Sequence, residues 1–210
     1  MAKTTTGIST GATADVLAAM LTNEGGTPAL EARKIHALVD AGLLPNEGTG
    51  SHVRIPRSAV RDLGASTRYI ADLSELGSPL YRVSVLARRE SPVYDLNGNL
   101  LRSHAGVDYS LDLPADEAAL GYESAWAESP RVLDYLVDSE ALLLATCKGF
   151  VGPGNARRIV DWIDVDGSPS RNLVTEVDPD VDDLVGAGIW IDVPADGRQN
   201  GLLTPRPHWL

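Results

Sequence analysis

Cysteine is almost missing from this chain. Cys147 stands alone among 210 residues, so an intrachain disulfide and a cysteine-based zinc site are both excluded. Aromatic residues make up 5% of the sequence against 43% hydrophobic residues in all, so the core must be mostly aliphatic. No stretch offers 18 unbroken apolar residues, and no membrane span is expected. The segment Met1 to Thr13 is small and polar and lacks the apolar middle of a signal peptide. A cytoplasmic location, or one in a virion, is the expectation. No internal repeat recurs at a fixed period, and no heptad run marks a coiled coil. Basic residues are also scarce: 18 Lys and Arg face 29 Asp and Glu, a net charge of -11. Such a field repels nucleic acid.

The charge is unevenly spread. Residues 1–68 hold seven basic residues (Lys3, Arg33, Lys34, Arg54, Arg57, Arg61, Arg68) and six acidic ones (Asp15, Glu24, Glu31, Asp40, Glu47, Asp62), so this part carries +1. The remaining 11 basic and 23 acidic residues give the rest -12. Within the near-neutral part, Thr13 to Leu21 reads as a helix capped by Thr13, with Val16, Leu17, Met20 and Leu21 as its apolar stripe. Thr27-Pro28 reads as cap and first turn of a second helix running to about Ala41. There Leu30, Ile35, Leu38 and Val39 face inward, Arg33, Lys34 and His36 outward, and Gly42 closes the helix. Gly48-Thr49-Gly50 suits the turn of a two-stranded wing, with His52 to Ile55 as its strand. Arg57 to Leu63, opened by Pro56, completes the unit as a short helix.

These residues resemble the MerR/excisionase-like winged helix-turn-helix family over about residues 12–63. The resemblance rests on Val39-Asp40-Ala41-Gly42-Leu43-Leu44-Pro45, on Gly50-Ser51-His52-Val53-Arg54-Ile55-Pro56-Arg57 and on Ala59-Val60. The link Thr22 to Thr27 is longer and richer in glycine than the family's tight turn. The resemblance implies binding of duplex DNA, with Arg33, Lys34 and His36 in the major groove, His52 and Arg54 on the adjacent backbone, and Arg57 and Arg61 fixing the docking angle. It implies a transcription regulator or recombination directionality factor of phage or bacterial origin. Affinity would be moderate and salt-sensitive, given the overall charge.

The expected fold class is α+β: a small N-terminal winged helix-turn-helix followed by a mixed α+β domain with antiparallel sheet. The expected divisions are a flexible arm (1–12), the winged unit (13–64), a helical linker (65–79, with the helix over Arg68 to Leu76), an acidic α+β domain (80–195) and a tail (196–210). In the acidic domain, Tyr81 to Arg88 alternates like a strand. Asn97-Gly98, between Val93–Leu96 and Asn99–Arg102, predicts a type I′ hairpin. Val107 to Leu113 is a further candidate strand. Pro114–Leu120 and Ser129–Val137 read as helices, Ala141–Cys147 as a buried strand, and Leu173–Val177 and Ile189–Val193 as strands. Ala156–Ile163 mixes the two signals.

Candidate chemistry elsewhere is thin. Asp164-Val165-Asp166-Gly167 matches part of an EF-hand loop, but Trp162 and Leu173 would occupy its first and last ligand positions, and neither ligates there. Gly149 to Gly154 lacks the Gly-Lys-Ser/Thr ending of a phosphate loop. His36, His52, His104 and His208 show no metal-ligand spacing, and His104 reads as an exposed loop residue. Cys147, within an apolar run, reads as a buried small hydrophobe. No catalytic set, cofactor or metal is expected, and the chain reads as a non-enzyme. The alternative function is a phage structural protein of head, neck or tail. There the helical unit and acidic domain would make protein–protein contacts, and a homo-oligomer or other subunits would assemble through the C-terminal domain.

Overall fold

The computed structural model describes residues 7–49, 52–77, 79–123, 126–193 and 200–204. Part of the expected arm, Gly50 and Ser51 of the wing turn, and the end of the tail with His208 and Trp209 lie outside the described residues. The fold is α+β, with helices, mixed sheet and antiparallel sheet.

Three helices open the chain. α1 (Thr10–Leu21) begins three residues before the expected start because Ser9, not Thr13, caps it. The Ser9 hydroxyl accepts from Ala12 N at 3.3 Å, while Thr13 is buried and donates its own hydroxyl to Ser9 O at 2.9 Å. α2 (Ala32–Asp40) starts later than Thr27-Pro28 predicted. The Thr27 hydroxyl is taken up 2.9 Å from that of Thr22, so it does not cap a helix. At the other end Gly42, at φ +76°, closes α2 as expected. Gly42 N donates to Val39 O and Leu43 N to Leu38 O, which satisfies the last carbonyls. α3 (Arg57–Ser66) follows Pro56 and buries Val60, Leu63 and Gly64.

The expected helix over Arg68 to Leu76 does not form. Arg68–Ile70 is a strand, β1, and Leu73–Leu76 is a short 3-10 turn capped by Asp72. Tyr69 and Ile70 are buried opposite Trp190 and Ile191, and that pairing outcompetes a helix.

The remaining elements are β2 (Leu80–Ser84), β3 (Arg89–Tyr94), β4 (Leu100–Ala105), α4 (Ala115–Glu123), α5 (Pro130–Asp138), β5 (Leu142–Thr146), β6 (Phe150–Val151), β7 (Ala156–Asp164), β8 (Arg171–Val177), α6 (Pro179–Val185), β9 (Ile189–Ile191) and β10 (Asn200–Leu202). Val107 makes only a single bridge to Ala87, so no strand runs from there to Leu113. α6 was not anticipated, although Asp178-Pro179 is a cap followed by a first-turn proline, and the Asp178 carboxylate accepts from Asp180 N and Val181 N.

A five-stranded sheet runs β10-β2-β5-β7-β8, a three-stranded one β1-β9-β6, and β3-β4 forms a hairpin of its own. The larger sheets are mixed, not purely antiparallel: β2 lies parallel to β5 and β1 parallel to β9. The hairpin turn also differs from the expected type. Gly98 has φ +80° but Asn97 stays in the ordinary region. Gly98 N donates to Asp95 O, and Asp95 N donates to Asn99 O, which is a type I turn followed by a glycine bulge. The Asp95 carboxylate selects it by accepting from Asn97 N and Asn99 N, both at 2.8 Å.

β5 is buried along its whole length. Its side chains alternate between two apolar clusters: Leu143 and Ala145 on one face, Leu142 and Leu144 on the other. The first cluster also holds Leu17, Ile35, Leu38, Ile55 and Val60 of the N-terminal segment, with Leu133 and Leu136 of α5. The second holds Ile70, Leu76, Val181 and Val185. Residues 13–64 and 80–195 thus bury apolar side chains in common.

Candidate nucleic-acid interface

The seven expected contact residues sit on three pieces of chain: Arg33, Lys34 and His36 on α2, His52 and Arg54 on the loop after it, and Arg57 and Arg61 on α3. All are exposed except Lys34, which is half-buried.

On α2 the apolar face, with Ile35 and Leu38 buried, is turned toward the sheet. Tyr109 N donates to Ala41 O at 2.7 Å, and the Cys147 thiol lies 3.8 Å from Ala37 O. The outward stripe is therefore Arg33, His36 and Asp40, three, then four, residues apart. Its charge is largely cancelled. Arg33 Nε donates to Glu31 at 2.7 Å and Asp40 closes the stripe; beside it the Lys34 ammonium keeps its charge, with one donor spent on Ala29 O.

The expected wing is not a β-hairpin among the described residues. Among the described residues between 43 and 56 no strand occurs, and Ile55 makes only a single antiparallel bridge to Ile8. A side chain takes the place of the ladder: Asn46 Oδ1 accepts from Gly48 N at 2.8 Å and from Arg54 N at 3.0 Å, and Glu47 N donates to Arg54 O at 2.8 Å. The loop is so tight at Gly48 that a Cβ there would stand 1.6 Å from His52 O. The Ile8–Ile55 bridge, with both hydrogen bonds at 2.9 Å, then pins the chain between Arg54 and α3.

Arg54, Arg57 and Arg61 form no ion pair among the described residues. Arg57 and Arg61 are one turn apart on α3 and share a face. The structure thus leaves three guanidinium groups without an ion pair among the described residues where the loop enters α3, and fewer on α2 than the sequence pattern implied.

Two expectations outside this face meet different outcomes. Cys147 is fully buried, and burial pushes its thiol up to about 11, which keeps it protonated near neutrality. His104 is not an exposed loop residue. It lies on β4, only 9% exposed, because the hairpin's alternation turns it inward. The acidic segment Asp161 to Gly167 is the end of β7 and the turn into β8. There Asp164 pairs with Arg171 at 3.2 Å, and no group of three His, Cys, Asp or Glu among the described residues is arranged to hold a metal.

A buried polar network escaped the sequence reading. Arg157 of β7, 2% exposed, donates to the Thr175 hydroxyl at 2.7 Å and to Asp116 at 2.6 Å. The Thr175 hydroxyl in turn donates to Glu123, the last residue of α4. Burial raises the Glu123 carboxyl above its ordinary value, with Thr175 and Arg157 opposing. Tyr122 seals the region: its hydroxyl donates to Gly154 O at 2.8 Å, and burial drives its pKa strongly upward. The network fastens α4 to β7 and β8. The β-like alternation of Ala156 to Ile163 was its one sequence signal, since it turns Arg157 and Ile159 to one side.

Comparison with known proteins adds no relative: no family model matches the chain, no curated protein matches its sequence, and no solved structure matches it.

Proposed function

We propose that the chain binds duplex DNA through the face formed by Arg54, Arg57 and Arg61, as a transcription regulator or recombination directionality factor. The observation that carries this reading is that none of the three has a carboxylate partner among the described residues, whereas Arg33, Arg68, Arg158 and Arg171 are each paired with one. Guanidinium groups left without acids on a rigid, bridged segment are available to phosphate oxygens. α2 serves in this reading as a supporting contact through His36 and Arg33, because Glu31 already competes for Arg33.

The test is fluorescence anisotropy of a labelled duplex across a salt series. Three phosphate contacts give a slope of log K against log salt of about -2.7. The triple variant Arg54→Ala/Arg57→Ala/Arg61→Ala should lose most of the affinity and most of the slope. Duplex binding that is absent at low salt, or indifferent to the triple variant, removes the reading.

A second reading, a structural assembly component, has one specific observation in its favour. Tyr94 and Leu100 are cross-strand partners on β3–β4, Leu96 lies in the loop between them, and all three are about half exposed or more, at 46%, 54% and 65%. An apolar hairpin end of this kind suits burial against protein. Light scattering separates the two: a ring or higher assembly supports it, and a monomer or dimer supports the DNA reading.

A further inference from the structure

The acidic half of the chain gathers cations at one place, the base of the β3–β4 hairpin. Arg88 immediately precedes β3 and Arg89 begins it. Arg102 and His104 come from β4, in register with Val93 and Glu90. Arg88 Nη2 lies 3.1 Å from His104 Nδ1. A guanidinium only donates, so Nδ1 accepts and the imidazole is the neutral Nε2–H tautomer. The Ser103 hydroxyl lies 2.9 Å from the same nitrogen. Arg102 is held in place by Ser91, donating to its carbonyl at 3.2 Å and to its hydroxyl at 3.4 Å.

These groups feel one another. Burial first, then Arg88 and Arg102, hold His104 below its ordinary value, and Glu117 of α4 opposes them; Glu90 of β3, the cross-strand partner of His104, is a second carboxylate at the hairpin base. Burial first, then Arg89, lowers Arg102. Neither Arg88 nor Arg89 forms an ion pair among the described residues. Arg88 Nη1 is buried and has no acceptor among the described residues. The hairpin's own Asp95 is spent on capping the turn. Mutually repelling cations with a buried, unused donor call for an anion of more than one charge, and the forked N–H geometry of arginine matches a phosphoryl group.

We propose that the hairpin base is a phosphoryl-oxyanion site, with Arg88 and Arg89 as its ligands and Arg102 and His104 lining it from behind. The site stands independently of the DNA reading. The phosphoryl group has two sources, free phosphate or a duplex backbone, and the test separates them.

The His104 imidazole is the built-in indicator. Histidine proton NMR of the full chain is followed against pH, with the His104 signals assigned from a His104→Asn variant. The probes are inorganic phosphate against chloride at matched ionic strength, and a short duplex. An anion beside the imidazole stabilises its protonated form, so occupancy raises the His104 midpoint. The expected result is an upward move with at least one probe, abolished or weakened about tenfold or more in affinity by Arg88→Gln or Arg89→Gln. Far-UV circular dichroism confirms that each variant is folded. Movement with phosphate assigns a free phosphoryl ligand, and movement with the duplex alone assigns its backbone. No movement with either probe, or equal movement in both arginine variants, overturns the site. That outcome is independent of duplex binding through Arg54, Arg57 and Arg61, which the triple variant reports separately.

Discussion

Single residues carry the sharpest constraints. Gly42 adopts φ +76°, and a Cβ there would lie 2.6 Å from Asp108 Oδ1 and 2.9 Å from Ser110 N. Both the backbone and the space forbid a side chain. Gly42→Ala is expected to destabilise the fold by about 1 kcal/mol or more, read as a lower midpoint in urea unfolding. Glu123 makes a prediction about pH. Its carboxyl is held above the ordinary value in the fold, so the folded chain keeps a proton that the unfolded chain releases. Stability therefore falls as pH rises from the unfolded value to the folded one and is level above that. Glu123→Gln should flatten this part of the stability curve, measured by thermal unfolding at a series of pH values. At this scale the sequence was partly legible. The Leu-Leu-Leu-Ala-Thr run placed Cys147 inside correctly. His104 was misplaced because its inward position follows from pairing with β3 and from α4 beside it, neither of which a short window reveals.

At the scale of elements, caps and apolar spacing were reliable where they agreed. Ser129, Pro130 and the set Val132, Leu133, Leu136 identify α5 almost to the residue. They failed where one sequence satisfies two patterns. Tyr69, Leu73 and Leu76 recur at helical spacing, yet the segment pays for a strand because Trp190 and Ile191 lie alongside. The wing failed for another reason: Asn46 supplies the acceptors that a partner strand would have supplied. α6 offers a direct test of capping. Asp178 caps it and also pairs with Arg158 of β7. Burial pushes the Asp178 carboxyl up, but Arg158 and the helix N–H groups more than offset this and hold it below the ordinary carboxylate range. Its contribution is present above the unfolded value and is lost as pH falls through the folded one. Asp178→Ala should cost about 1 kcal/mol from the cap alone, visible near neutrality and diminishing in acid by the same unfolding assay.

For the whole molecule, the α+β class was readable from alternating and helical stretches, but the parallel pairings of β2 with β5 and of β1 with β9 were not. They join segments about 60 and 120 residues apart, and nothing local encodes such a choice. The common core has a measurable energetic consequence. Leu143, at 0% exposure in the central strand, packs in the cluster that includes α1 and α2, so Leu143→Ala should cost about 2–5 kcal/mol and loosen both ends of the chain in one transition.

The solitary thiol gives that joint an observer. Cys147 lies between Ala37 of α2 and the turn into β6, where a disulfide reagent has no entry while the layers are closed. Its modification rate in the native protein is therefore a clock for parting of the opening helices from the sheet. A ligand that clamps α2 will slow the clock, and one that pries it loose will quicken it, with no label added.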